Sequence, residues 1–307
     1  MELIKPGTNF DFVGKMRKCL LASGILILLS LLLLLVKGPN YGIDFAGGTL
    51  LEFRFPRPLP IEQIRQALQK IGLGKSIIQA AGEGRDILIR VQETDQPLQE
   101  LRHQIQETLK SELKEEFEVL RVDQVGPKAG TALRRQALLA LIYATIGVLI
   151  YISWRFEFRF GIAAVLALVH DVIITVGIFT ALNKEFTLTV IAALLTIAGY
   201  SLNDTIVVFD RIRENLRFRK REVYAGVINR SINETLSRTI LTSGTTLLVV
   251  LALFFLGGPV IHDFAFVLLV GIITGTYSSI FVASPILVFW QVDVKTKLKP
   301  LITTGKR

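Results

Sequence analysis

Residues 186–209 read FTLTVIAALLTIAGYSLNDTIVVF, an apolar run in which Asp204 is the only charged residue. An α-helix rises 1.5 Å per residue, so about twenty apolar residues cross the roughly 30 Å hydrocarbon core of a bilayer. The stretch therefore predicts a membrane-spanning helix. It also raises the question of why an ionisable carboxylate lies inside that helix.

Five further blocks of this kind occur along the chain, which has 307 residues and is 51% hydrophobic. We therefore predict an α-helical integral membrane protein with six transmembrane helices. The first block follows basic residues as a signal peptide would, but the KGPNYG after it holds no small-residue cleavage site, so we expect a retained signal-anchor helix. Cys19 is the only cysteine, which excludes an intrachain disulfide and a zinc motif. The six blocks cover residues 19–36, 136–154, 160–182, 186–209, 239–257 and 264–290.

The distribution of positive charge predicts the orientation in the membrane. Nineteen of the 35 Lys and Arg residues lie in the segments that are cytoplasmic if the N-terminus is inside, and the two short outer loops hold only Lys184. This asymmetry follows the positive-inside rule and predicts that both termini are cytoplasmic. The net charge of +9 is therefore explained by topology, and we expect no nucleic-acid partner.

The long segment between the first two blocks predicts a domain outside the membrane. Its pattern is β-α-β-β-α-β, typical of a ferredoxin-like α/β sandwich. We find no catalytic cluster in it and expect neither enzymatic activity, nor a cofactor, nor a metal. The predicted strands are 48–55, 75–80, 85–92 and 116–126, and the predicted helices are 59–72 and 97–113. The predicted domains are 1–36 (N-terminus and first helix), 37–133 (periplasmic domain), 134–290 (helices two to six) and 291–307 (basic cytoplasmic tail).

Two carboxylates lie within the apolar blocks, where a charge costs around 3 kcal/mol at the centre of the bilayer. Asp204 lies about six residues from the inner end of its block, with Tyr200 one turn before it and Asn203 beside it as a hydrogen-bonding neighbour. Asp171 lies near the middle of the third block next to His170, and its alternative role is a structural hydrogen bond to another helix. We expect Asp210, directly after the fourth block, to begin a solvated loop.

Arg238 is the candidate partner of Asp204. The fourth and fifth blocks run antiparallel, so Arg238 at the start of the fifth is expected at about the same membrane depth as Asp204 near the end of the fourth. Thr242 follows one turn later and extends a polar stripe. The alternative is an arginine whose side chain reaches water at the membrane surface. Burial favours a neutral carboxyl and an arginine favours the charged one, so this set has the composition of a proton relay. In the sixth block the spacing GIITG, 271–275, predicts close helix packing.

Four segments resemble the SecF family of bacterial protein export, part of the RND transporter superfamily. They are YGIDFAGGTLLEF (41–53), AGYSLNDTIVVFDRIRENLR (198–217), LSRTILTSGTTLL (236–248) and GIITGTYSSIFVASPIL (271–287). The resemblance covers essentially the whole chain and implies an RND-type half of six helices with a periplasmic domain between the first two. Asp44, Gly47 and Gly48 belong to the family's glycine motif, although Ala46 stands where a basic residue is common.

The resemblance implies that the chain works with SecD in the cytoplasmic membrane and uses the proton-motive force to promote preprotein export. It places the family's intramembrane Asp and Arg on Asp204 and Arg238, with Asp171 as a further member of the relay. The implied partners are SecD, the SecYEG channel with YajC, the translocating preprotein and the lipid bilayer. The alternatives are an RND-type exporter of lipids or small molecules and a membrane scaffold without transport. The stretch GPNYG, 38–42, is a candidate hinge for the periplasmic domain.

Overall fold

The computed structural model describes residues 8–81, 84–91, 96–218 and 222–290; the predicted tail 291–307 lies outside the described residues. The helices in chain order are α1 (Met16–Val36), α2 (Ile43–Ala46), α3 (Ile61–Gln69), α4 (Leu98–Leu113), α5 (Pro127–Arg155), α6 (Phe158–Ala181), α7 (Leu188–Phe218), α8 (Tyr224–Leu256) and α9 (Gly258–Ser278). The strands are β1 (Asn40–Tyr41), β2 (Gly48–Arg54), β3 (Ile77–Ala81), β4 (Asp86–Val91), β5 (Glu118–Val125) and β6 (Glu185–Phe186).

Within the described ranges, six helices are long and apolar enough to cross a membrane, in agreement with the sequence. They are α1 and α5 to α8, together with a sixth that runs through α9 to residue 290. α7 is central and packs against α6, α8 and α9, whereas α1 packs on α6 and leaves most of its surface exposed. A helix whose outer surface consists of leucine and isoleucine suits contact with lipid, so α1 belongs at the edge of the bundle.

α7 and α8 extend beyond their apolar blocks at the end where they are connected in sequence. The extensions are joined by side chains, since Arg211 Nε donates to Glu234 at 2.6 Å and Asn215 Nδ2 donates to Ser231 Oγ at 3.0 Å. Asp210 therefore lies within a helix, and the expectation that it begins a loop is wrong, although its side chain is exposed as expected. Polar contacts between the two helices stabilise turns that the apolar pattern alone does not predict.

The domain between α1 and α5 is the predicted ferredoxin-like sandwich. Its strands form an antiparallel sheet in the order β3-β4-β2-β5, and α3 and α4 pack on one face of it. The core between sheet and helices is formed by fully buried apolar side chains such as Phe53, Ile64, Ile89 and Ile105. The alternation of apolar and polar residues along the strands therefore places the apolar side chains on the face that packs against the helices. The helical spacing of the apolar residues in 61–68 likewise places them toward the sheet.

A short parallel pair, β1 with β6, lies between this domain and the membrane helices. Asn40 pairs with Glu185 and Tyr41 with Phe186, and the N–H of Gly42 donates to the Phe186 carbonyl at 2.8 Å. Most of the stretch 38–42 is therefore tied to the loop before α7. Only Gly38 and Pro39 precede the pairing, and the hinge at residues 38–42 stays a prediction.

Candidate functional site

Asp204 lies on α7 with 3% of its surface exposed, and hydroxyl groups surround its carboxylate. Ser243 Oγ, on α8, donates to Asp204 Oδ2 at 2.9 Å, and Thr242 Oγ1 lies 3.4 Å from Asp204 Oδ1. Thr276 Oγ1, on α9, donates to Ser243 Oγ at 2.8 Å. Because a hydroxyl both donates and accepts, this chain of two hydroxyls can pass a proton to or from the carboxylate.

Arg238 lies one turn before Thr242 on α8, and its side chain is exposed. Its backbone carbonyl accepts a hydrogen bond from Thr242 Oγ1 at 3.0 Å. In this structure Asp204 hydrogen-bonds to hydroxyl groups and forms no ion pair with Arg238, although both residues are among those described. The structure thus brings Arg238 to the same helix face as the partners of Asp204 without joining the two charges.

Asp171 and His170 form a second buried polar cluster, on α6. Asp171 is fully buried, and its Oδ1 lies 2.8 Å from Nδ1 of His170, which is 2% exposed. Ser201 Oγ and Ser278 Oγ donate to Asp171 Oδ2 at 2.6 Å and 2.7 Å. The His170 Nε2 atom is also buried and has no hydrogen-bond partner in the described part of the chain.

Both clusters share the contact between α7 and α9. α7 carries Ser201 of the Asp171 cluster and Asp204 itself, which lie one turn apart. α9 carries Thr276 and Ser278, which serve the Asp204 and Asp171 clusters respectively. Directly after Ser278 the helix passes through a π-helical turn, Ser279–Ala283, and such turns are frequent at functional sites.

The GIITG glycines explain how α7 and α9 approach so closely. A Cβ at Gly275 would lie 2.9 Å from the Ser201 Cβ, and a Cβ at Gly271 would overlap the side chain of Ile197. The close packing expected from the sequence is therefore present, and its partner is the helix that carries Asp204. The same glycine positions let Ser201 and Ser278 converge on one carboxylate oxygen.

The two remaining neighbours named from the sequence lie around the rim of this site. Tyr200 is half-buried, and its hydroxyl is buried without a hydrogen-bond partner among the described residues. Asn203 is exposed, whereas the adjacent Asp204 is buried, so the two side chains lie on different faces of α7. Asp204 bonds to Thr242 and Ser243 and not to Asn203, so the expectation that Asn203 is its hydrogen-bonding neighbour is wrong.

The glycine motif lies at the N-terminal end of α7, away from the Asp204 cluster. The N–H of Leu188, the first residue of α7, donates to Asp44 Oδ2 at 2.8 Å. Gly47 and Gly48 have φ values of +78° and +120°, conformations that residues with a side chain rarely adopt. The motif therefore combines a carboxylate that caps α7 with a turn that only glycine makes without strain.

Sequence reasoning missed Ser201, Ser243 and Thr276 as members of the site. Serine and threonine are common in membrane helices, where they often bind a carbonyl of the preceding turn, so their presence alone is a weak signal. A usable signal was the position of Ser201 one turn before Asp204 and of Ser243 next to Thr242. No group of three metal-ligating side chains occurs among the described residues.

These features define a polytopic membrane protein whose helical bundle encloses two hydrogen-bonded carboxylates and whose one extramembrane domain is a ferredoxin-like sandwich. The family model for the protein export membrane protein SecD/SecF, C-terminal, matches residues 104–293, and the model for the SecD/SecF GG motif matches residues 32–55. The chain is 52% identical to the protein translocase subunit SecF of Desulfurispirillum indicum, with 88% of each chain covered. It is 50% identical to that of Calditerrivibrio nitroreducens, with 92% of this chain and 95% of the relative covered.

The chain therefore belongs to the SecF family of protein translocase subunits. Two solved structures of SecDF are similar as well, each 43% identical to this chain. SecDF from Thermus thermophilus, a translocon-associated membrane protein, has a TM-score of 0.86 over 93% of this chain, and SecDF in a super-membrane-facing form has a TM-score of 0.72 over 97%. The chain spans about two-fifths of those SecDF chains, 39% and 40% of their length.

Proposed function

We propose that this chain is the SecF subunit of a Sec translocase, works with a SecD-type partner, and uses the proton-motive force to promote export of preproteins. The observation that carries the proposal is Asp204, a buried carboxylate held by hydroxyls of the next helix in a chain of the SecF family. A buried ionisable residue in a membrane helix is costly and commonly marks a proton pathway.

Asp204 is the proton carrier in this proposal. In the arrangement described here, hydroxyls of α8 hold its carboxylate, and Arg238 remains exposed one turn away. A shift between α7 and α8 that brings Arg238 to the carboxylate favours the charged form, and a shift away from it favours the protonated form. Each charge that crosses 100 mV supplies about 2.3 kcal/mol, enough to bias a domain movement.

Asp171 and His170 form the second titratable pair of the proposed relay. The two clusters are connected by α7, which carries both Asp204 and Ser201, and by α9, which contributes one hydroxyl to each cluster. The two SecDF structures have equal identity to this chain but different TM-scores, which is expected if SecF-type chains adopt more than one arrangement. A relay of this kind needs such alternatives, because a carboxylate in one fixed environment cannot load and release a proton in turn.

The exposed face of α7 supports a partner within the membrane. Its outward positions are Ala192, Thr196, Gly199 and Asn203, small or polar residues at helical spacing, where α1 presents leucine and isoleucine. An exposed asparagine in a bilayer lacks hydrogen-bond partners, and small residues suit helix-helix contact. The occupant we propose is the SecD half, because this chain spans only two-fifths of a solved SecDF chain and the SecD part would supply the remainder.

SecYEG with YajC and the preprotein are further proposed partners. The proposed location is the cytoplasmic membrane, with both termini inside.

The test is export of a secreted precursor into inverted membrane vesicles, with and without a proton gradient, in the variant Asp204→Asn. Asparagine keeps the shape and loses the titratable group, so we expect the stimulation by the gradient to fall by about tenfold or more. Asp210→Asn is the matched control, because Asp210 lies on the same helix with an exposed side chain 3.7 Å from Arg155. Gradient-stimulated export that is unchanged in Asp204→Asn contradicts the proposal and favours a scaffold, which needs only packing.

A further inference from the structure

The outer end of α7 is held by residues that are distant in sequence. The first N–H groups of a helix have no partner within the helix, and a carboxylate there also interacts favourably with the helix dipole. The residue that supplies this carboxylate to α7 is Asp44, 144 positions before Leu188, at a distance of 2.8 Å. α2, which carries Asp44, is therefore attached to the beginning of α7.

A second contact ties the sheet to the same place. Arg90, near the end of β4, forms an ion pair with Glu185 of β6 and donates from Nη1 to the Tyr41 carbonyl at 3.2 Å. Arg90 is 6% exposed, and burial lowers its pKa to about 10, while the nearby Asp44 carboxylate acts in the opposite direction. The guanidinium thus remains charged at neutral pH. Replacing Arg90 by a neutral residue would remove this ion-pair partner of Glu185.

Both contacts lie at the same end of the sheet. Asp44 is followed by Gly47 and Gly48, and Gly48 begins β2, while Arg90 on β4 pairs directly with Leu50 on β2. On the other side α2 is covered by α5, where a Cβ at Gly130 would lie 3.1 Å from the Phe45 carbonyl. The end of the sheet, α2 and the start of α7 therefore form one continuous packed block, which we call the outer junction.

We propose that Asp44 and Arg90 are positioning residues that make the periplasmic sandwich and the outer end of α7 move together. This inference rests on the proposed function, because α7 is the helix whose Asp204 exchanges the proton. Leu188 and Asp204 are sixteen residues apart, about 24 Å along one unbroken helix. A displacement of α7 at Asp204 is thus transmitted through the cap and the ion pair to the sheet, and the glycine motif is the mechanical link.

The test measures the position of the sandwich as the state of Asp204 changes. Cys19 is replaced by serine, and spin labels are attached to cysteines at His103 on α4 and Leu35 at the outer end of α1, which are both exposed. Distance distributions are recorded by pulsed electron resonance for the full chain in lipid nanodiscs, with Asp204 and with Asp204→Asn. We expect Asp204→Asn to shift the distance, and Asp44→Ala to abolish that shift.

The accompanying variants separate transmission from simple destabilisation. Asp44→Asn keeps an oxygen that accepts the Leu188 N–H, so the shift should persist there. Asp263→Asn is the matched control, since it weakens the outer ion pair between Lys184 and Asp263, at 2.5 Å, without touching the cap of α7. Arg90→Gln breaks the junction at its second contact and should also abolish the shift, which keeps the proposal testable if Asp44→Ala does not insert.

An equal shift in the parent, Asp44→Ala and Arg90→Gln chains overturns the proposal, and so does the absence of any shift in the parent. These outcomes are distinct from failure of the proposed function, which is measured by export in Asp204→Asn. Impaired export in that variant together with an unaltered shift in Asp44→Ala leaves the relay intact and rejects the outer junction as its link.

Discussion

Asp204 and Asp171 are both buried carboxylates, but their hydrogen-bond donors are distributed differently. The three side-chain hydrogen-bond partners of Asp171 come from α6, α7 and α9 and contact both of its oxygens. The donors of Asp204 come from α8 alone. A small separation of α7 from α8 would therefore free Asp204, whereas Asp171 is released only if several helices part. We infer that Asp204 exchanges protons more readily and that Asp171 also fixes the packing of three helices.

Replacing Ser243 by alanine should weaken proton coupling while leaving the carboxylate in place. The substitution removes the shorter hydrogen bond to Asp204 and interrupts the link to Thr276. A hydrogen bond to a charged group contributes about 1.5–3 kcal/mol, so we expect gradient-stimulated export to fall on the order of tenfold. Thr145→Ala is the control, because that hydroxyl binds only the Leu141 carbonyl of its own helix. Equal export in both variants would remove Ser243 from the relay.

The burial of Glu52 predicts a pH dependence of stability in the ferredoxin-like sandwich. Burial raises the pKa of Glu52 above the ordinary value near 4.5, Asp86 adds to this effect, and Arg121 and Arg54 oppose it. The folded domain then holds this proton more tightly than the unfolded chain, so the contribution of Glu52 to stability is complete below about pH 4.5 and is lost as the pH rises through the folded pKa.

Glu52→Gln should therefore be more stable than the parent chain at pH 7, and the difference should shrink as the pH falls toward 4. Amide hydrogen exchange of β2 and β4 in the full chain measures this locally. Glu100→Gln, on the exposed side of α4, is the matched control and should show no such trend. A difference that is independent of pH would show that burial does not perturb Glu52.

The contact between α7 and α9 depends on glycine. An added methyl group at Gly275 would press on Ser201 and so disturb the cluster around Asp171. Overpacking of this kind typically costs 1–3 kcal/mol, so we expect Gly275→Ala to lower the thermal unfolding midpoint in detergent. Gly147→Ala on α5 is the control, since no atom lies within 4 Å of its added Cβ. At position 147 the better helix propensity of alanine should raise the free energy of unfolding by about 0.5–1 kcal/mol. Similar effects at both positions would contradict the close packing.

The elements that follow from regular patterns could be predicted, and those that depend on distant contacts could not. The six apolar blocks and the sandwich have the expected order, because apolar length and period reflect local burial. The pairing of β1 with β6 and the short helix α2 depend on contacts between residues about 145 positions apart, which no local pattern reveals. Similarly, Asp204 could be singled out by its cost in a membrane, whereas the contact between Ser243 and Asp204 depends on how α7 and α8 pack.

The whole molecule is asymmetric in the surface that it presents within the membrane. α1 shows leucine and isoleucine, including Leu28 and Leu32, which suit lipid. α7 instead exposes Thr196 and Asn203, whereas α8 exposes Thr245 among large apolar residues such as Leu248 and Val249. Since lipid offers no hydrogen bonds to the side chain of Asn203, the exposed face of α7 is expected to contact another protein chain.

Photo-crosslinking from single positions tests this division directly. A photoreactive amino acid at Thr196 should form an adduct with a co-purifying SecD-type chain, because Thr196 lies on the same exposed face of α7 as Asn203. The same group at Leu28, which is 68% exposed on α1, should react with lipid and give no protein adduct. Adducts with a second copy of this chain from Thr196 would instead indicate a homo-oligomeric exporter. Equal yields from Thr196 and Leu28 would mean that the exposed face of α7 is not the interface. A partner selected by hydrogen bonding and small residues must distinguish that face from the leucine-rich surface of α1.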